Sequence, residues 1–333
     1  MAQASAQSDR GGERRRSETN KTSKTTKASK TSTVGGRQVG PDFLADRFAS
    51  VRIRAGRVWA AARAEREELQ RRTRIRKRQR QRARGPVDPP ACPTGWSIAP
   101  PDFVGIGVQK AGTTWWHLLL CAHPQIQERL PKELHYFQYH WLGDFDQAAV
   151  ENYHRYFARP PGRLAGEWTP RYLLDDWTPG QLRRAAPDTR LLVMLRDPVE
   201  RYRSGMTHHL NTGVTLHPRF VVEAIARGHY RLQLDRLLRH FPREQVLMLQ
   251  YERCVADPSG QLARTYRFLG VEPSFIPHDL STPVLAARGP KIAMGPERRA
   301  ELRLEYADGV RRLADEWPEL DMSLWPNFCD LAR

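Results

Sequence analysis

The chain has 333 residues, enough for one sizeable α/β domain with an extension. Its formal charge of +17 is placed unevenly: residues 1–90 hold 24 Lys/Arg against 9 Asp/Glu, a net of +15, while residues 91–333 hold 30 against 28, a net of +2. The four cysteines form no C-x-x-C pair or His/Cys cluster, no apolar run approaches the roughly 18–20 residues of a membrane span, and no signal-peptide core follows the N-terminus, which excludes zinc-ribbon, disulfide-scaffold and helical membrane-spanning classes.

Residues 1–40 form a Ser/Thr/Lys-rich tail with almost no apolar side chains. Such a segment buries too little surface to offset its ordering entropy and is expected to be disordered. Residues 41–85 scatter Phe43, Phe48, Val58, Trp59 and Leu69 through an Ala/Arg/Glu-rich run and read as one or two basic helices, ending in a dense cluster from Arg71 to Arg82. That arm is suited to an acidic partner, anionic lipid or nucleic acid, or is simply a solvated charged helix. Six prolines between 86 and 101 mark a linker, which places the folded domain at 102–328.

Past the linker, strand-like runs at 103–108, 166–169, 190–195 and 245–250 alternate with helix-like runs at 113–122, 145–157, 178–186, 199–210, 220–240 and 260–269. Short apolar strands separated by helices predict a parallel sheet covered on both faces, with its ligand beyond the carboxyl ends of the strands. A last helix over 297–316 sets Leu302, Tyr306, Val310 and Leu313 on one packing stripe.

The first strand breaks into Gln109-Lys110-Ala111-Gly112-Thr113-Thr114 and then an apolar helical run. A helix opening at such a turn aims free N–H groups and its positive end at an anion. Gly107 and Gly112 are expected to let backbone approach the ligand, Lys110 to add a full charge and the two threonines to add donors. In a Walker A loop Lys follows the last Gly, whereas Lys110 precedes Gly112 here; a dinucleotide fingerprint would need Gly at position 110. The third strand delivers Arg196 at its carboxyl end, followed by Asp197 and Pro198, with Ser204 two turns along the next helix. Arg196 and Ser204 are placed to share one anion, unless Arg196 serves only an ion pair with Asp197 or Glu200. Two such cradles on one sheet imply a ligand with two separate phosphate-type groups.

These loops resemble the 5′ and 3′ phosphate-binding elements of sulfotransferases that use 3′-phosphoadenosine 5′-phosphosulfate (PAPS), of the heparan sulfate, carbohydrate-acting type. The resemblance rests on Gln109 to Thr114 followed by Cys121-Ala-His123-Pro124, on Leu195 to Ser204, on Pro131-Lys132-Glu133-Leu134-His135-Tyr136-Phe137, and on Glu167-Trp168-Thr169-Pro170-Arg171-Tyr172, in that family's order across residues 102–325. It implies a P-loop-kinase-like α/β fold and sulfuryl transfer from PAPS as co-substrate, without a metal, to a hydroxyl or amine of a carbohydrate or glycoconjugate acceptor. By the same resemblance Glu133 is the general base and His135 orients it or replaces it. Lys110 stabilises the leaving phosphate, Ala111, Gly112, Thr113 and Thr114 hold the 5′ phosphate with it, and Arg196 and Ser204 hold the 3′ phosphate. An extended 133–135 segment would put Glu133 and His135 on one face.

Three departures accompany the resemblance. Near the C-terminus Arg288 and Lys291 stand without the paired cysteine of Golgi relatives, so either lysine or arginine is a candidate to close over the nucleotide. Trp168 occupies a position where those relatives often have Lys, which implies different acceptor contacts. No membrane anchor is evident, and a cytoplasmic enzyme, peripheral at the inner membrane surface if the basic arm binds lipid, is expected. Two other readings remain: a P-loop-type small-molecule kinase, disfavoured by the Lys110 order, and a nucleic-acid or membrane-surface binder led by the arginine-rich arm.

Overall fold

The computed structural model describes residues 32–34, 37–39, 86–127, 132–141, 145–211, 217–280 and 291–331. The chain divides into two units, Met1–Arg66 and Glu67–Arg333. In the first, strands β1 (Ser32–Val34) and β2 (Arg37–Val39) pair antiparallel, Ser32 opposite Val39. They fall inside the stretch expected to be disordered. β-branched residues flanking Gly35-Gly36 are a hairpin composition that the polar bias of the tail concealed. The rest of that stretch and the whole basic segment 41–85 lie outside the described residues.

The second unit is built on β3 (Phe103–Gly107), β4 (Gly166–Trp168), β5 (Arg190–Leu195) and β6 (Val246–Gln250), all parallel in the order β4-β3-β5-β6. Nearly every residue of these strands is buried, which is why they read as continuous apolar runs and not as alternating ones. The parallel α/β architecture expected from the sequence is therefore the observed one. Its helices are α1 (Thr113–Cys121), α2 (Gln147–His154), α3 (Thr178–Ala185), α4 (Pro198–Asn211), α5 (Pro218–Ala226), α6 (Tyr230–Leu238), α7 (Tyr251–Ala256), α8 (Pro258–Leu269) and α9 (Pro296–Glu316). Among the described residues no helix is long and apolar enough to cross a membrane.

Two expected helices are divided. The run 145–157 is α2, capped by Asp146 on the Ala149 N–H, followed by a tighter turn at Arg155–Phe157. The run 220–240 breaks at Gly228 because α9 crosses there. A Cβ on Gly228 would stand 2.5 Å from the Tyr306 ring, whose hydroxyl donates to the Ile225 carbonyl at 3.0 Å. The α9 stripe Leu302, Tyr306, Val310 and Leu313 is buried as expected.

Trp168, which stands where Golgi relatives often have Lys, is a core residue. It is fully buried on β4, and its indole lies over Gly105 of β3, where a Cβ would meet the ring at 2.1 Å. The pair is a large-into-small fit between the edge strand β4 and its neighbour β3. Gly105→Ala overpacks it and is expected to lower the unfolding free energy by about 1–3 kcal/mol, read from urea midpoints at unchanged m-value. Trp115 and Trp116 are likewise core residues, whereas Trp141 is exposed.

Candidate active site

At the carboxyl end of β3 the chain turns through Lys110 and Gly112, both with left-handed φ, of 71° and 85°. α1 starts at the next residue, and no side chain caps its first turn. Its leading N–H groups, with Thr113 buried and Thr114 half-buried beside them, remain available to an anion. The two glycines also have a packing role. A Cβ on Gly107 would press on Leu173 at 2.9 Å, and one on Gly112 on the Tyr251 ring at 2.6 Å.

Arg196 leaves β5 one strand away, and its Nη1 donates to the Lys110 carbonyl at 3.1 Å, joining the two loops. Its guanidinium lies 4.7 Å from the centroid of the Tyr251 ring. The alternative use of Arg196, a surface ion pair, is absent among the described residues. Asp197 is fully buried, accepting from the Val199 and Glu200 N–H groups at 2.9 and 3.1 Å, and Glu200 pairs with Arg203 and Arg299. Arg196 Nε is buried with no partner in the structure. Ser204 is half-buried on α4, and no described contact links it to Arg196; its neighbour Gly205 faces the Lys110 side chain.

The third part comes from the segment before the turn Tyr136–His140. It is not extended: Glu133 and His135 both have left-handed φ, of 58° and 55°. This corrects the basis on which they were expected to share a face. They meet nonetheless, because Glu133 N–H donates to the Trp168 carbonyl at 3.0 Å and His135 N–H to the Thr169 hydroxyl at 3.5 Å, fixing the segment along the end of β4. Glu133 Oε2 lies 3.5 Å from His135 Nε2, and Oε1 3.3 Å from Lys132 Nζ. The hydrogen bond from His135, opposed by burial and aided by Lys132, lowers the Glu133 carboxyl to about 2. Below this segment Glu167 is fully buried, accepting from the Tyr153 and Thr169 hydroxyls at 2.6 Å each.

Lys110, Glu133 and His135 line one cavity of about 560 Å³. The Lys110 ammonium is lowered from its usual value by burial and by Arg196, with Glu133 acting against both. Ala111, Thr113, Thr114, Arg196 and Ser204 are not on this wall; Ala111 is fully buried between Lys110 and Gly112. Apart from His208 and His209, whose place after Arg196 on one helical run allowed them either to reach the site or to lie on the helix surface, the far wall was not legible in the sequence. Arg171 and Arg227 both pair there with Glu223, and Arg201, 1% exposed, donates to the Ala224 carbonyl. Burial, relieved by Glu223, lowers Arg227 to about 10. His208 and His209 of α4 complete the wall. Burial and then Lys110 lower His208. Tyr251 was also missed, although its place directly after β6 was a signal, since strand carboxyl ends carry sites in such sheets. Arg288 lies outside the described residues. Lys291 is exposed, next to Ile292, which is fixed to α4 through Arg203 and Thr207.

The sulfotransferase domain family model matches residues 100–283. Mouse heparan sulfate glucosamine 3-O-sulfotransferase 3A1 is 32% identical over 192 residues, covering 52% of this chain and 46% of that protein. Human heparan sulfate glucosamine 3-O-sulfotransferase 6 is 30% identical over 190 residues, covering 52% of this chain and 53% of that one. The chain thus spans about half the length of the curated relatives it matches. A sulfotransferase crystal structure from Alicyclobacillus acidocaldarius superposes with a TM-score of 0.53 at 26% identity, over 68% of this chain and 99% of that one.

Proposed function

The chain belongs to the sulfotransferase domain family, and on that premise we propose that it is an enzyme moving a sulfuryl group from PAPS to a hydroxyl of a carbohydrate-type acceptor. The observation that carries this reading is the meeting of Lys110 and Glu133 in one cavity, next to an Arg196 that bonds the Lys110 carbonyl and has no carboxylate of its own. The residues fit the nucleotide: an uncapped first turn of α1 for a 5′ phosphate, and Arg196, with a buried donor unused, for a 3′ phosphate.

The donor supplies the sulfuryl group; the chain positions it and neutralises charge, as in phosphoryl transfer. Glu133 takes the proton of the attacking acceptor hydroxyl. His135 is the weaker candidate for base, since its Nε2 is held against Glu133 and its Nδ1 is shut from solvent, whereas the Glu133 side chain is 42% exposed. A carboxylate at about 2 is ionised and ready but weakly basic. An acceptor that excludes water and draws Lys132 away strengthens it. Lys110 neutralises charge on the departing phosphate oxygen. The guanidinium groups of Arg171, Arg201 and Arg227, with Glu223 the one carboxylate on their side of the cavity and Glu133 across from it, favour an acceptor bearing acidic groups, as the heparan sulfate named for the mouse relative does.

Titration with 3′-phosphoadenosine 5′-phosphate (PAP) tests the nucleotide site: the wild type binds it, Arg196→Ala binds it at least about tenfold less tightly, and equal binding by both refutes the assignment. The lowered Lys110 sets the pH behaviour. Its ammonium is the active form, so kcat/KM, which reports the free enzyme, is expected to fall as pH rises through a value below 10.5. The residual activity of Lys110→Ala lacks that limb in the same pH series.

A further inference from the structure

The backbone at Arg196 is held by groups that are themselves held by a segment beyond the matched family domain. The peptide joining Arg196 to Asp197 is held on both sides: the Arg196 carbonyl accepts from the Tyr230 hydroxyl at 2.8 Å, and the Asp197 N–H donates to Glu252 Oε1 at 3.0 Å. Asp197 spends its Oδ1 on the first turn of α4 and its Oδ2 on Asn327, which donates from its backbone N–H at 2.9 Å and from Nδ2 at 2.8 Å. The other Glu252 oxygen accepts from Trp325 Nε1 at 3.0 Å. Trp325 and Asn327 are buried, and both follow the matched span 100–283. Two carboxylates packed this closely need those donors. Burial pushes Glu252 up to about 7 and raises Asp197, and the hydrogen bonds they accept act in the opposite sense.

This frame holds the backbone from which the Arg196 side chain extends to the Lys110 carbonyl and over the Tyr251 ring, and a guanidinium positioned in advance binds an anion at a smaller entropic cost of ordering. We propose that Glu252 and Asn327 are positioning residues that set selectivity for the 3′ phosphate of the nucleotide, with Trp325 holding Glu252 in place. The proposal rests on the assignment of Arg196 to the 3′ phosphate made above. It concerns discrimination between nucleotides with and without that group, not the transfer step.

The test compares affinities of the full chain for PAP and for adenosine 5′-phosphate (AMP), which lacks the 3′ phosphate, by titration calorimetry. Asn327→Ala removes one of the two donors to Asp197 Oδ2. Glu252→Gln turns an acceptor into a donor, so either the Asp197 N–H or the Trp325 indole loses its partner whichever way the amide faces. Both variants are expected to bind PAP about tenfold more weakly while AMP affinity stays within about twofold of wild type. Loss of PAP and AMP affinity in equal proportion would mark a general packing role and overturn the proposal, as would unchanged PAP affinity. If the wild type itself does not prefer PAP to AMP, the assignment of Arg196 fails, an outcome separate from the other two.

Discussion

Glu133→Gln is expected to lower kcat for sulfuryl transfer by about 10²–10⁴-fold while leaving the affinity for PAP unchanged. The amide keeps the shape of the carboxylate but cannot take a proton from the acceptor. Nucleotide affinity is a meaningful control because Glu133 approaches the site from the end of β4, whereas the proposed phosphate cradles stand at the ends of β3 and β5. His135→Ala is expected to have the smaller effect. It removes the largest influence lowering the Glu133 carboxyl, so the base is misoriented yet stronger, and the acid limb of the profile moves to higher pH. Should His135→Ala abolish transfer while Glu133→Gln retains it, the two roles are exchanged.

Lys110→Ala is expected to cost about 10²–10³-fold in kcat, the range for removing one preorganised charge from a developing anion. The Lys110 side chain leaves a left-handed backbone and passes alongside Gly205 of α4. Lys110 couples electrostatically to both Glu133 and Arg196, so its loss also alters the field at the base and at the second cradle. The kcat fall is therefore expected to exceed the change in PAP affinity. A purely ground-state role for Lys110 reverses that order, raising KM with kcat preserved.

The parts of this site that follow a strand directly were legible in the sequence. Lys110 to Thr114 and Arg196 each stand where a short buried run gives way to a turn and a helix, and that pattern is local. Glu133 and His135 were found by motif, but not their left-handed backbone, which is set by Trp168 and Thr169 more than thirty residues away. The arginine wall was hidden for the same reason: Arg171, Arg201 and Arg227 belong to three separate elements and look like ordinary surface charge until Glu223 draws two of them together. Gly228 and Gly105 show how packing partners decide local structure. Nothing in the neighbouring sequence announces that Tyr306 or Trp168 will occupy the space their missing side chains leave. Asn327 and Glu252 carried no motif at all, since a buried carboxylate is recognised by the donors folded around it.

The most direct measurement incubates the full chain with PAPS labelled at sulfur and an acidic polysaccharide, and follows label into the polysaccharide. Label is expected to pass with the wild-type protein, in step with PAP release, and to fall to near background with Glu133→Gln and with Lys110→Ala. Transfer that proceeds undiminished in both variants would contradict the assignment of the site, and failure of the wild type to bind PAPS or PAP would contradict the proposed reaction itself.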